Sequence, residues 1–86
     1  MSISSKEATA RICQLLATVF DVPESAVAET ASSDTLPQWD SLRHLHLITA
    51  LEAEFSVEFD ADEALDLQSV EVIRAVLTKH GAIEGA

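Results

Sequence analysis

Basic residues are what this chain has least of: 5 Lys and Arg stand against 15 Asp and Glu in 86 residues, for a net charge of −10. Binding to nucleic acid needs clustered cations to neutralise phosphates, so a DNA- or RNA-binding role is disfavoured. The shortage is also local. No Lys or Arg lies between Arg43 and Arg74, while Glu52, Glu54, Glu58, Asp60, Asp62, Glu63, Asp66 and Glu71 all do. Such a stretch serves either as a solvated face or as a surface for a basic protein partner.

Cysteine is nearly absent too. Cys13 alone allows no intramolecular disulfide, cannot frame a zinc site, and fits a reducing cytoplasm. Long apolar runs are missing: Met1-Ser2-Ile3-Ser4-Ser5-Lys6-Glu7 is not a secretory leader, and nothing approaches a bilayer span. A cytoplasmic, monomeric protein without membrane insertion is expected. At this length the chain is a single domain, 1–86 with an ordered core near 4–80, too small to enclose a deep catalytic cleft. Its function is more naturally displayed than enclosed.

The apolar pattern is helical throughout, with no strand alternation. Ser4 or Ser5 opens a first helix, in which Ala8, Ile12, Leu15, Leu16 and Val19 form a stripe running to Phe20. Pro23 either stops that helix or opens the next turn. From Asp21 to Asp40 the chain is polar, with Val22, Val27, Leu36 and Trp39 as scattered anchors and a short turn around 23–27. A loop this long in a small domain is commonly functional. The second helix, Leu42 to Phe55, places Leu45, Leu47, Ile48, Leu51 and Phe55 on an apolar face and Leu42, His46, Thr49 and Ala53 opposite. Asp60 to Leu67 reads as a short acidic helix. Ser69 caps a last helix built on Val70, Ile73, Val76 and Leu77, with Lys79 and His80 near its C-terminus and Gly81 ending it.

Asp40, Ser41, His44 and His46 hold the ingredients of a hydrolase, but nothing resembles a nucleophile elbow or an oxyanion hole. His44 and His46 diverge on a helix, and Asp60-Ala61-Asp62-Glu63 lacks the glycine and spacing of a calcium loop, so no metal site is expected. His44 reads as a core-edge residue and His46 as exposed. Either Asp40 or Ser41 can cap the second helix.

Asp40-Ser41-Leu42 followed by an apolar helix ending in Ala50-Leu51-Glu52-Ala53-Glu54-Phe55, with Val57-Glu58-Phe59 beyond, resembles the acyl carrier protein family over nearly the whole chain. The resemblance implies an all-α four-helix bundle of three longer helices and one short one, with a long loop between helices 1 and 2. It implies a non-catalytic carrier whose Ser41 bears 4′-phosphopantetheine taken from coenzyme A by a phosphopantetheinyl transferase. Asp40 would help that enzyme position Mg²⁺, and Leu42 would contact partners, namely the transferase and acyl-loading and acyl-accepting enzymes. The arm's thiol would hold acyl groups as thioesters, and tethering would raise their effective concentration at partner active sites. By the same resemblance Leu47, Leu51, Phe55, Phe59, Leu67 and Ile73 are candidate liners of an acyl pocket, with plain core packing as their other reading.

Two features depart from the family pattern. Fatty-acid carriers present acids on the exposed face of helix 2, where this chain has Arg43, His46 and Ala53. With Leu42 and Thr49, these make up the expected partner-binding face, which His46 would render sensitive to pH. Gln38 replaces a frequent glycine, giving a bulkier loop before Asp40. The altered face of helix 2 suggests a specialised lipid, polyketide or related pathway. A peptidyl or aminoacyl carrier is the nearest alternative, and an unmodified acidic adaptor for a basic protein the more distant one.

Overall fold

The computed structural model describes residues 3–84. Four helices, α1 (Ser5–Phe20), α2 (Ser41–Phe55), α3 (Ala61–Asp66) and α4 (Val70–Lys79), form an all-α bundle, and a short 3-10 helix (Glu24–Ala26) interrupts the long connection between α1 and α2. Each α-helix begins on a side-chain cap that satisfies an orphan first-turn amide. Ser4 accepts from the amide of Glu7 at 3.2 Å, Asp40 from Arg43 at 2.8 Å, Asp60 from Glu63 at 2.8 Å and Ser69 from Val72 at 3.1 Å. Asp60 and Glu63 form a reciprocal capping box, which explains how six residues can hold a helix.

Two helices end on residues in the left-handed region, Asp21 (φ 55°) and Ser56 (φ 53°). α1 therefore stops before Pro23, and the proline instead leads into the 3-10 helix. Beyond α4, Gly81 turns the chain at φ 80°, a conformation that costs glycine nothing. That turn returns the chain to its beginning. Ile3 and Ile83 form a parallel bridge, with the Ile3 amide donating to Ala82 and the Glu84 amide to Ile3. Ile83 is buried, an apolar clasp absent from the sequence expectation.

α1 packs against both α2 and α4. Ile12, Leu16 and Phe20 of α1 meet Leu47 and Leu51 of α2, and Leu67, Val70, Ile73 and Leu77 complete a core of fully buried side chains. Burying each such side chain contributes about 1.5–3 kcal/mol, against which the exposed Arg11–Glu54 ion pair at 3.2 Å is a minor term.

The α1–α2 loop is folded onto this core. Val27, Ala31 and Leu36 are buried, and the loop pairs with the start of α4: Ser33 donates its amide to the Gln68 carbonyl at 2.9 Å, and Val70 donates to Ala31 at 3.0 Å. The second bond satisfies another orphan amide of α4. Val27 and Leu36 are among the anchors expected from the sequence; Ala31 escaped notice because alanine also suits an exposed loop.

Leu45 requires a correction. It stands 63% exposed, not on the apolar face of α2. Residues two apart on a helix are separated by about 200°, so Leu45 cannot share a face with Leu47. It sits beside Leu42, likewise 63% exposed.

Candidate functional site

Ser41 is the first residue of α2, not its cap, because Asp40 holds the capping role. Its side chain is exposed and its hydroxyl makes no hydrogen bond among the described residues. The amides of Ser41 and Leu42 likewise have no partner among the described residues. Two free N–H groups at the positive end of the α2 dipole thus surround an unencumbered hydroxyl. A phosphodiester on Ser41 Oγ fits this chemistry, since the helix terminus offers donors to phosphate oxygens.

The loop delivers Ser41 through a specific set of contacts. Trp39 packs against Phe20 in a tilted pair, ring centroids 4.9 Å apart, which ties the loop's last turn to the end of α1. The Trp39 indole N–H donates to His44 Nδ1 at 3.0 Å, and His44 Nε2 lies 2.7 Å from the carbonyl oxygen of Ala64 in α3. Since the indole is only a donor and a carbonyl only an acceptor, the network assigns the imidazole its neutral Nε2–H tautomer. His44 is therefore a core-edge residue as expected, but with two committed bonds that link the loop, α2 and α3.

Beside Ser41 opens a cleft of about 430 Å³ lined by Ser33, Trp39, Asp40, Ser41, His44, Leu45, Leu65 and Gln68. Leu65 of α3 is 67% exposed. With Leu42 and Leu45 it gives the surroundings of Ser41 an apolar character within an acidic molecule. Leu45, Leu65, Ser33 and Gln68 were all missed as site residues. The signal that could have found Leu45 is its i,i+3 spacing from Leu42; the other three reach Ser41 only through the tertiary fold.

The residues expected to meet partners divide. Leu42, His46, Thr49 and Ala53 are exposed along α2. Arg43 is half-buried, and its guanidinium donates to the Phe20 carbonyl at 3.2 Å. It is thereby tied to the C-terminal end of α1, where a cation complements both an orphan carbonyl and the helix dipole.

The pocket candidates also divide. Leu47, Leu51, Leu67 and Ile73 are fully buried core residues, and Phe55 and Phe59 are half-buried at its edge. Phe55 lines a smaller cleft of about 280 Å³ by the chain-end clasp, with Arg11, Glu54 and His80. The other five line neither cleft. Close packing accounts for this, because all four core members are fully buried within the common core.

Elsewhere, burial pushes the Cys13 thiol pKa up, with Glu29 and Glu24 adding to the effect, so the thiol is a poor nucleophile. The carboxyl of Glu63 is held at about 2, first by the His80 ring and then by the Asp60 amide and Lys79. His80 Nε2 lies 3.0 Å from Glu63 Oε1, joining α3 to the end of α4. Among the described residues no three His, Cys, Asp or Glu side chains gather as a metal cluster, and no helix is long and apolar enough to cross a membrane.

No curated protein matches this chain significantly. A family model described as the phosphopantetheine attachment site matches residues 10–77, from the second turn of α1 to near the end of α4. That span takes in most of the chain, and with it Ser41 and its surroundings. The chain belongs to the phosphopantetheine attachment family, as a non-catalytic carrier domain for a covalent 4′-phosphopantetheine arm.

Proposed function

We propose that Ser41 is the attachment residue and that the protein is an acyl carrier of a specialised lipid, polyketide or related biosynthetic pathway. The observation that carries this reading is the exposed, unbonded hydroxyl of Ser41 at the first position of α2, flanked by two free amides and opening on a cleft. In loading, Ser41 Oγ forms the new bond to the phosphorus of coenzyme A's phosphopantetheine, and the bond from that phosphorus to the 3′-phosphoadenosine 5′-phosphate leaving group breaks. The serine proton leaves with that group or to solvent. Asp40, next in sequence and exposed, is placed to help a transferase position Mg²⁺. When bound, the arm supplies a thiol that carries an acyl group as a thioester.

What the chain itself contributes is presentation. The Asp40 cap and the Trp39 anchor fix where α2 begins, so the attachment point has one position relative to the exposed side chains of Leu42, Leu45 and Leu65. Partner enzymes of the transferase and acyl-handling kinds would read that apolar patch within an acidic surround. On α2 the patch continues to His46, Thr49 and Ala53 rather than to a row of carboxylates, which supports dedicated rather than housekeeping partners. We place this work in the cytoplasm.

Intact mass before and after incubation with coenzyme A, Mg²⁺ and a broad-specificity phosphopantetheinyl transferase tests the assignment. One added phosphopantetheine is expected on the wild type and none on Ser41→Ala. No addition to folded, initially unmodified wild-type protein would overturn the assignment and favour an unmodified acidic adaptor.

A further inference from the structure

The cleft and the His44 bridge, taken together, bear on what kind of cargo this carrier holds. Three elements meet at the cleft: the loop through Ser33 and Trp39, α2 through Ser41, His44 and Leu45, and the α3 region through Leu65 and Gln68. α3 buries no side chain of its own. Its position against α2 rests on the Ala64 carbonyl bonded to His44, and its position against α4 on Glu63 bonded to His80 and Lys79. An element held by so few contacts is the one that opens at least cost.

Leu47 of α2, Leu67 just after α3, and Leu51 and Ile73 belong to the closed core, all with zero exposure. An alkyl chain on the arm gains about 0.8 kcal/mol for each methylene it removes from water, so it will enter any gap that admits it. His44 stands across the gap. Its ring is fixed at both nitrogens, by Trp39 on one side and Ala64 on the other, and Trp39 in turn packs against Phe20. Outside the seam, Leu45 and Leu65 are about two-thirds exposed, while Ser33 and Gln68 supply polar groups at the rim. Ser33 Oγ donates to Gln68 Oε1 at 3.3 Å, and Gln68 Nε2 donates to the Leu65 carbonyl at 2.9 Å.

We propose that His44 is a positioning residue that holds the α2–α3 seam shut, so that the arm on Ser41 and its acyl group lie in the outer cleft between Leu45, Leu65 and Trp39, which suits short acyl groups rather than long alkyl chains. This rests on Ser41 being the attachment site. The Leu45 and Leu65 side chains cover the first few carbons of the acyl group, and Gln68 and Ser33 meet amides of the arm or a polar acyl substituent. A long chain would trail methylenes beyond these side chains into water.

The experiment begins with the wild type and His44→Ala and His44→Gln variants. Each is loaded with butanoyl- or octanoyl-phosphopantetheine from the matching acyl-coenzyme A, and intact mass confirms a single addition at Ser41. A failure at that step strikes the attachment assignment and not the seam. Methyl and indole NMR then locate the acyl group, and hydroxylamine cleavage measures exposure of the thioester. In the wild type, both cargoes are expected to shift the Leu45 and Leu65 methyls and the Trp39 indole N–H, and to leave Leu47, Leu51 and Ile73 unmoved. Hydroxylamine should cleave the two thioesters at similar rates. In His44→Ala the octanoyl form should shift the core methyls, and insertion of two methylenes would slow its cleavage on the order of tenfold. His44→Gln retains one acceptor and one donor and should behave as the wild type. Core methyl shifts in the octanoylated wild type would overturn the proposal. So would a His44→Ala protein, folded by its amide spectrum, whose core stays unmoved; were that variant unfolded, the wild-type and His44→Gln results decide the matter.

Discussion

Replacing Asp40 and Ser41 in turn separates helix capping from function at two adjacent residues. Asp40 Oδ1 accepts from the Arg43 amide at 2.8 Å, and its carboxylate lies at the positive end of α2. Asp40→Ala removes an N-cap, which costs about 1 kcal/mol within a range of roughly 0.5–2. It also removes a charge–dipole attraction of about 0.3–1 kcal/mol. A total near 1–2 kcal/mol lowers the melting temperature of a domain this size by about 5–15 °C. Ser41 Oγ is exposed and makes no bond among the described residues, so Ser41→Ala should change stability by less than about 0.5 kcal/mol while abolishing loading. Asp40→Asn keeps the acceptor and should fall in between, losing only the charge contribution. Circular-dichroism melts of the unmodified proteins at low salt, with urea titrations for the free energies, measure all three. Equal destabilisation by Ser41→Ala and Asp40→Ala would refute the reasoning, because it would mean that the serine shares the cap.

Two further outcomes follow from the packing and the charges. Leu51→Ala empties a fully buried site and should cost about 2–5 kcal/mol in urea unfolding, whereas Leu45→Ala, at a position 63% exposed, should cost less than about 0.5 kcal/mol. Comparable costs would put Leu45 back on the core face of α2. The Glu63 carboxyl is held at about 2, below its ordinary 4.5, so its contribution to stability is fully present above 4.5 and is lost as pH falls toward 2. Glu63→Gln, which still offers an oxygen to the Asp60 amide, should flatten the fall in melting temperature across that interval, and superimposable pH profiles would show that Glu63 contributes nothing there.

Much of the fold was legible because its signals are local. Ser69 is a short oxygen-bearing residue immediately ahead of apolar periodicity and caps α4 as expected, and of Ser4 and Ser5, both open as the start of α1, Ser4 takes the cap. Gly81 marks the turn after α4 for a similarly local reason. At the start of α2 two such residues stand side by side, and local chemistry left both open as the cap; the backbone gave the role to Asp40 and freed the serine. The one error of pattern, Leu45, arose because a leucine was counted with a face that its angular position excludes.

Helical periodicity determined by itself that the chain is all-α, and the excess of acids that nucleic acid is a poor partner, while the carrier role was implied by the resemblance that Asp40-Ser41-Leu42 carries. These are properties of short segments and of composition, which survive without knowledge of the fold. Tertiary structure decided what surrounds that serine. Trp39 reaches Phe20 only because the loop folds back on α1, and His44 reaches Ala64 only because α3 lies across α2. Ser33 and Gln68, 35 residues apart, share a cleft because the loop pairs with the start of α4. Such contacts depend on where the chain returns in space, and no periodicity in a single segment encodes that.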